Sequence, residues 1–235
     1  MFIPIKDDQP TRRTPHLTIG LIFINTAVFL YSQTLGMQGF NHFIHTLGYK
    51  PYFFLDLGAS YQLPTWYFVT PLTSMFLHGG WMHLIGNMLF LWIYGNNIED
   101  YFGPVKYLLF YIVSGFAAVA LYTLFNPDSQ VPLVGASGAI AGVMGAYMVL
   151  HPRARITVLI IWFILMFRDF SAKTVLGIWF IYQVLMSLLD SRTGGGTAWL
   201  AHVGGFIFGY IVLWTFIKIR GGGPTDREYR VSWRR

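Results

Sequence analysis

The sequence predicts an all-α membrane protein, a bundle of six transmembrane helices with a long first external loop lying partly in the membrane. Three observations carry that expectation. Only 11% of the 235 residues are Asp, Glu, Lys or Arg, against about 25% in an ordinary soluble domain. Hydrophobic residues make up 54% and aromatics 18%, and the mean hydropathy is +0.51. A soluble domain of this size still exposes roughly a quarter to a third of its unfolded surface, so water is the wrong solvent for this chain. Disorder is excluded too, because its signature is high charge with low hydrophobicity. The third observation is a series of apolar runs close to the ~20 residues that a bilayer requires.

In chain order, residues 1–16 form an N-terminal segment, MFIPIKDDQPTRRTPH. Charges and prolines precede any apolar run, unlike a cleavable signal peptide, so the first span is expected to be retained. The spans run from about Leu17 to Leu35, Met82 to Ile98, Val105 to Phe125, Ser137 to Leu150, Lys173 to Leu189 and Trp199 to Ile219. The fourth is short and rich in Gly and Ala, which suits a helix buried among the others. A further apolar patch, ITVLIIWFILMF from Ile156 to Phe167, is too short to span. β-Branched residues open it and Arg168-Asp169 close it, so it is expected to be interfacial or re-entrant. Residues 17–219 thus form one membrane domain, and 220–235 a polar, loosely ordered tail.

Charge then assigns the sides. The net charge is +6 and the isoelectric point near 9.5. In a soluble protein that would suggest nucleic acid, but in a membrane protein it reports topology, and no nucleic-acid partner is expected. Of the 16 basic residues, all but Lys50 and Arg192 fall on the side of the termini, which the positive-inside rule places in the cytoplasm. The compact six-span form points to a bacterial inner membrane. The external loop from Gly36 to Trp81 carries Phe40, Phe43, Phe53, Phe54, Tyr61, Trp66, Tyr67 and Phe68, an aromatic density suited to the outer leaflet. There is no cysteine, which excludes disulfides and thiolate chemistry.

Polar groups within spans are costly, and each is a candidate functional site. The predicted spans contain no interior Asp or Glu, which weakens pump, transporter and aspartyl-protease readings. No His-Glu-x-x-His motif is present to hold zinc. His83 and Asn87 in the second span, Ser137 in the fourth and His202 in the sixth remain. All four lie within one or two turns of the outer ends of their helices. Taken singly, Ser137 suits a helix cap and the others suit interhelical hydrogen bonds. Their shared depth argues for joint use. Small-x-x-x-small faces at Gly138/Gly142, Ala141/Gly145 and Ala201/Gly205/Gly209 allow the close helix approach this needs.

The chemistry follows from the residue types. Ser137 at a helix N-terminus has free backbone amides beside it that can stabilise an oxyanion. His202 is placed to take the serine proton and return it to a leaving amine. No carboxylate is available to orient it, so the pair reads as a dyad. His83 and Asn87, at i and i+4, share a helix face and can donate to the same oxyanion. His78 is read as ordering the loop before the second span, and His16, His42, His45 and His151 as interfacial.

These residues fall in three fragments: HGGWMHLIGN (His78–Asn87), GASGAIAGVMGAY (Gly135–Tyr147) and AHVGG (Ala201–Gly205). In this order and spacing, over about Ser74 to Tyr210, the chain resembles the rhomboid family of intramembrane serine proteases. The resemblance implies Ser137 as nucleophile, His202 as general base, and His83, Asn87 and the Ser137 amide as the oxyanion site. It also implies no cofactor or metal, and a substrate that is another membrane protein's spanning segment, cut near its outer end at small residues. The competing reading is a non-catalytic relative that binds client helices, although such relatives usually lack the serine or the histidine. Two departures stand out. Ala141 occupies the position where some members stack an aromatic ring on the histidine, and Val69-Thr70 stands where several carry Trp-Arg.

Overall fold

The computed structural model describes residues 2–55, 64–161, 165–190 and 198–220. Strand β1 (Phe2–Asp7) leads into α1 (His16–Thr34) and α2 (Gly36–Leu47). Short helical turns at Pro51–Leu55, Thr65–Val69, Thr70–Thr73 and Ser74–Phe76 follow. Next come α3 (Trp81–Phe102), α4 (Pro104–Phe125) and α5 (Ser137–Leu150). The chain continues through β2 (Arg155–Ile161), β3 (Leu165–Ser171), α6 (Ala172–Asp190) and α7 (Trp199–Ile219).

By length and composition, α1, α4, α6 and α7 can each cross a membrane, and α5 is a shorter apolar helix. Their outward faces are apolar: Phe23 on α1 is 72% exposed, and Leu109 on α4 and Ile178 on α6 are exposed as well. Such surface is costly in water and ordinary against lipid tails. Local chemistry sets the boundary between α3 and α4. Gly103, at φ +75°, closes α3 by donating its amide to Glu99 O at 2.8 Å, and Pro104 opens α4 where its missing N–H costs nothing.

The centre of the fold is α5. Every residue from Gly138 to Tyr147 is buried. Glycines on both helices let α7 approach it backbone to backbone: a β-carbon on Gly205 would collide with the Gly138 carbonyl, one on Gly209 with the Gly142 carbonyl, and one on Gly145 with the Phe206 carbonyl. Tyr94, Tyr107, Tyr111 and Tyr147 are fully buried in the same core.

Three expectations need correction. The chain is not purely helical, because β1, β2 and β3 form a three-stranded antiparallel sheet in that order. The Ile156–Phe167 patch supplies most of its hairpin. Ile156 and Val158 are buried while Arg155 and Ile161 are exposed, the period-two pattern of a half-buried strand rather than a membrane segment. β1 pairs Ile3 with Leu159 at the sheet edge, where Pro4 is tolerated.

The second correction concerns Glu99. α3 runs a turn beyond Ile98, and Glu99 is buried in that turn. Its carboxylate accepts from the Leu17 and Thr18 amides at 2.9 and 2.7 Å and from Thr18 Oγ1 at 2.7 Å. It therefore caps α1 from another helix, and its charge is met by the free amides of that helix start. Thirdly, His151 is buried beside the Tyr147 ring rather than interfacial. Burial pushes it down to about 4. His16, His42 and His45 are exposed.

The stretch after α1, expected to be a long external loop, contains α2 and the short helical turns. It is tied to the segment before α5, since Tyr49 and Leu133 exchange backbone hydrogen bonds of 3.1 and 2.7 Å. Tyr61, the two triple-glycine runs and the polar tail from Gly221 lie outside the described residues.

Candidate active site

Ser137 is the first helical residue of α5, with Ala136 at the cap position. Its hydroxyl does not cap the helix. Instead Ser137 Oγ lies 2.8 Å from Nε2 of His202, the fourth residue of α7. That is hydrogen-bonding distance for a nucleophile and its base. The glycine seam makes it possible, because α5 and α7 could not approach this closely with larger residues at Gly145, Gly205 and Gly209. The amides of the first turn of α5 have no carbonyl one turn earlier within the helix, so they face the space beside Ser137 as potential donors.

Gly135, two residues before the serine, has φ +123°, a conformation that disfavours any side chain. Its amide donates to Ser74 O at 2.9 Å, anchoring the turn to the segment before α3. A β-carbon here would stand 2.6 Å from His83 Nε2 and 3.5 Å from Ser137 Oγ. His83 and Ser137 therefore border the same small space, and Gly135 keeps it open. Asn87, one turn along α3, is buried, and its Nδ2 donates to His78 Nε2 at 2.9 Å. Burial and the neighbouring His83 push His78 down to about 3, so its ring is neutral and can accept this bond. His78 thus orders the loop and holds Asn87 as well. One of the two Asn87 amide hydrogens is used in that bond, and the other remains for a ligand.

All four residues singled out in the sequence gather at one end of α3, α5 and α7. The structure adds a fifth. Gln183 of α6 is 3% exposed, and its Oε1 lies 2.7 Å from His202 Nδ1. Trp179, one turn earlier on α6, lies over the same imidazole with ring centroids 5.9 Å apart and planes inclined by 35°. Support for His202 therefore comes from α6 and not from position 141, where Ala141 is buried. Gln183 carried a usable signal in the sequence, an amide in the middle of an apolar run. Asn25 was equally visible, but it lies on α1, where its Nδ2 donates to Leu21 O of the same helix at 2.8 Å. Among the described residues, no group of three His, Asp or Glu side chains could hold a metal ion.

The Rhomboid domain family matches residues 65–219, well over half of the chain. Rhomboid-like protein 11, chloroplastic, of Arabidopsis thaliana is 26% identical over 224 residues, covering 91% of this chain and 70% of its own length. RHOMBOID-like protein 6, mitochondrial, of the same plant is 43% identical over 77 residues, 33% of this chain and 24% of its own length. Rhomboid protease GluP of Bacillus subtilis is 39% identical over 77 residues, 33% of this chain and 15% of its own length. The chain thus spans most of the first relative and under a quarter of the other two. Relatives named for chloroplast and mitochondrion lend nothing to the expected bacterial inner membrane. With the family matched across the helices that carry the site, the chain belongs to the rhomboid family of multi-pass membrane proteins.

Proposed function

We propose that the chain is an intramembrane serine endopeptidase that hydrolyses peptide bonds in or near the transmembrane segments of other membrane proteins. The observation that carries this reading is the 2.8 Å contact between His202 Nε2 and Ser137 Oγ, half-buried at the end of a glycine-packed helix pair. Six helices, α1 and α3 to α7, cross the bilayer, with both termini in the cytoplasm and the site toward the outer face. The sheet is consistent with that path. It joins residues 2–7 to residues 155–171, which four crossings would return to the same side.

In the reaction, Ser137 Oγ attacks the scissile carbonyl carbon as its proton passes to His202 Nε2. The negative charge that forms on the carbonyl oxygen is met by the Ser137 amide, His83 and the free amide hydrogen of Asn87. Collapse breaks the C–N bond, and His202 gives the proton to the departing amine. Water then attacks the acyl-enzyme, again with His202 as base, and releases the carboxylate product and free Ser137. A helix hides its peptide bonds, so substrates with Gly, Ala or Pro near the cut unwind more readily. A role in binding client helices without cutting them is opposed by the retention of both Ser137 and His202 in mutual contact.

The test uses purified full-length protein with a single-span substrate, read by mass spectrometry. Ser137→Ala should lower cleavage by about 10⁴-fold or more. Equal cleavage by the two proteins would refute the reading.

A further inference from the structure

We propose that Gln183 is the positioning residue of this site, holding His202 in the single tautomer able to accept the Ser137 proton. The inference rests on the Ser–His reading above. It begins from the two hydrogen bonds of the imidazole. Gln183 Oε1 faces Nδ1 at 2.7 Å, and Ser137 Oγ faces Nε2 at 2.8 Å, on opposite edges of one ring.

An amide oxygen can only accept, so the proton of neutral His202 resides on Nδ1. Nε2 is then left with its lone pair, and the serine hydroxyl must donate to it. The opposite tautomer would put N–H on Nε2, facing Ser137, and remove the base. In proteases with a buried carboxylate behind the histidine, that carboxylate sets the tautomer. Here a neutral amide performs the same orientation, and its neutrality suits the surroundings. A carboxylate at Gln183 would be a second buried ionisable group among apolar side chains, with a large desolvation cost in the resting state. An amide carries no net charge, so its burial costs far less.

The sequence spacing supports a dedicated support face. Trp179 and Gln183 are i and i+4 on α6, so one ridge of this helix meets both the face and the Nδ1 edge of His202. Exposed Ile178, Ile181, Tyr182 and Leu185 occupy the rest of α6. Gln183 is the polar exception on an otherwise apolar stretch, and its polar head is used on His202.

The experiment combines a spectrum with a rate. Full-length protein carrying ¹⁵N-histidine is reconstituted in bilayers, and the His202 signals are assigned by their loss in His202→Ala. Wild type should show a protonated Nδ1 and a bare Nε2. Gln183→Leu should move population to the Nε2–H form and lower kcat on the order of 10²-fold, with KM within about twofold. Gln183→Glu keeps an acceptor at Nδ1, so it should preserve the tautomer. It should also move the acidic limb of the rate profile to higher pH, because its charge favours the imidazolium. A wild-type spectrum with the proton on Nε2, or an unchanged tautomer in Gln183→Leu, would overturn the proposal. If Gln183→Leu does not fold, the wild-type spectrum decides. The spectra need no turnover, so a fixed Nδ1–H tautomer in a protein that cuts nothing would sink the protease reading and leave this one standing.

Discussion

Helix α7 is held on two sides by different physics. Against α5 it meets bare backbone, where Gly145, Gly205 and Gly209 leave no room for a β-carbon. Against α6 it meets side chains: Phe180 stacks on Phe206 at 4.7 Å, while Trp179 and Gln183 reach His202. The glycine seam fixes a distance, and it does so without any adjustable part. The α6 face fixes an orientation, through rotatable groups that can be exchanged one at a time. On the proposed reading Ser137 and His202 need both, a short approach and a correctly turned ring, and each need falls to a different neighbour.

Breaking the seam should have the larger effect. Gly209→Val places branched carbons against the Gly142 backbone, where no side chain can move aside. We expect a loss of more than about 4 kcal/mol, enough to prevent accumulation of folded protein. Thermal unfolding and yield in detergent would show it, and a variant as stable as wild type would remove the seam from the account.

On the other face, Trp179→Ala should be milder. The ring is half-buried, so about 2 kcal/mol is expected, roughly half of what a fully buried Trp loses. The protein should fold, with kcat reduced several-fold as His202 gains freedom. A kcat equal to wild type would show that Gln183 alone suffices to turn the ring.

The smallest effect concerns the far end of α5. There Asp7 of β1 accepts from Tyr147 Oη at 2.5 Å and from Asn97 Nδ2 at 3.0 Å, fastening the N-terminal strand to the seam helix. Burial pushes the Asp7 carboxyl up to about 6, outweighing the opposing Tyr147 hydrogen bond. The folded state therefore holds this proton more tightly than the unfolded chain does. The associated stability is fully present below about pH 4 and is lost as pH rises through about 6. Hydrogen exchange of the β1 amides, corrected for intrinsic rate, should show less protection at pH 7.5 than at pH 5. Asp7→Asn should flatten that dependence, and an identical slope in both proteins would exclude Asp7 as its source.

Much of the helical skeleton was legible in advance. The fourth and sixth apolar runs coincide with α5 and α7, because a run of apolar residues at span length has few other stable forms. α3 extends a turn beyond the expected end at Ile98, and only the neighbouring start of α1 makes a buried Glu99 acceptable. The sheet was missed because Phe2–Asp7 and Arg155–Ile161 are more than 140 residues apart, and short apolar runs do not reveal their partners. Ser137, His202, His83 and Asn87 stood out as polar groups at matched depth. Gln183 was passed over because its depth matches theirs only once α6 is placed beside α7.

Composition and spacing were enough to establish a membrane solvent and much of the helical skeleton, and to single out Ser137 and His202 as candidates. These depend on local quantities, namely transfer free energy, helical period and side-chain chemistry. Which way His202 is turned, what holds it and what fastens the N-terminal strand depend on groups brought together across the chain. Only close packing in three dimensions could decide them, because a hydrogen bond of 2.7 Å between residues 183 and 202 has no signature in either residue's own neighbourhood.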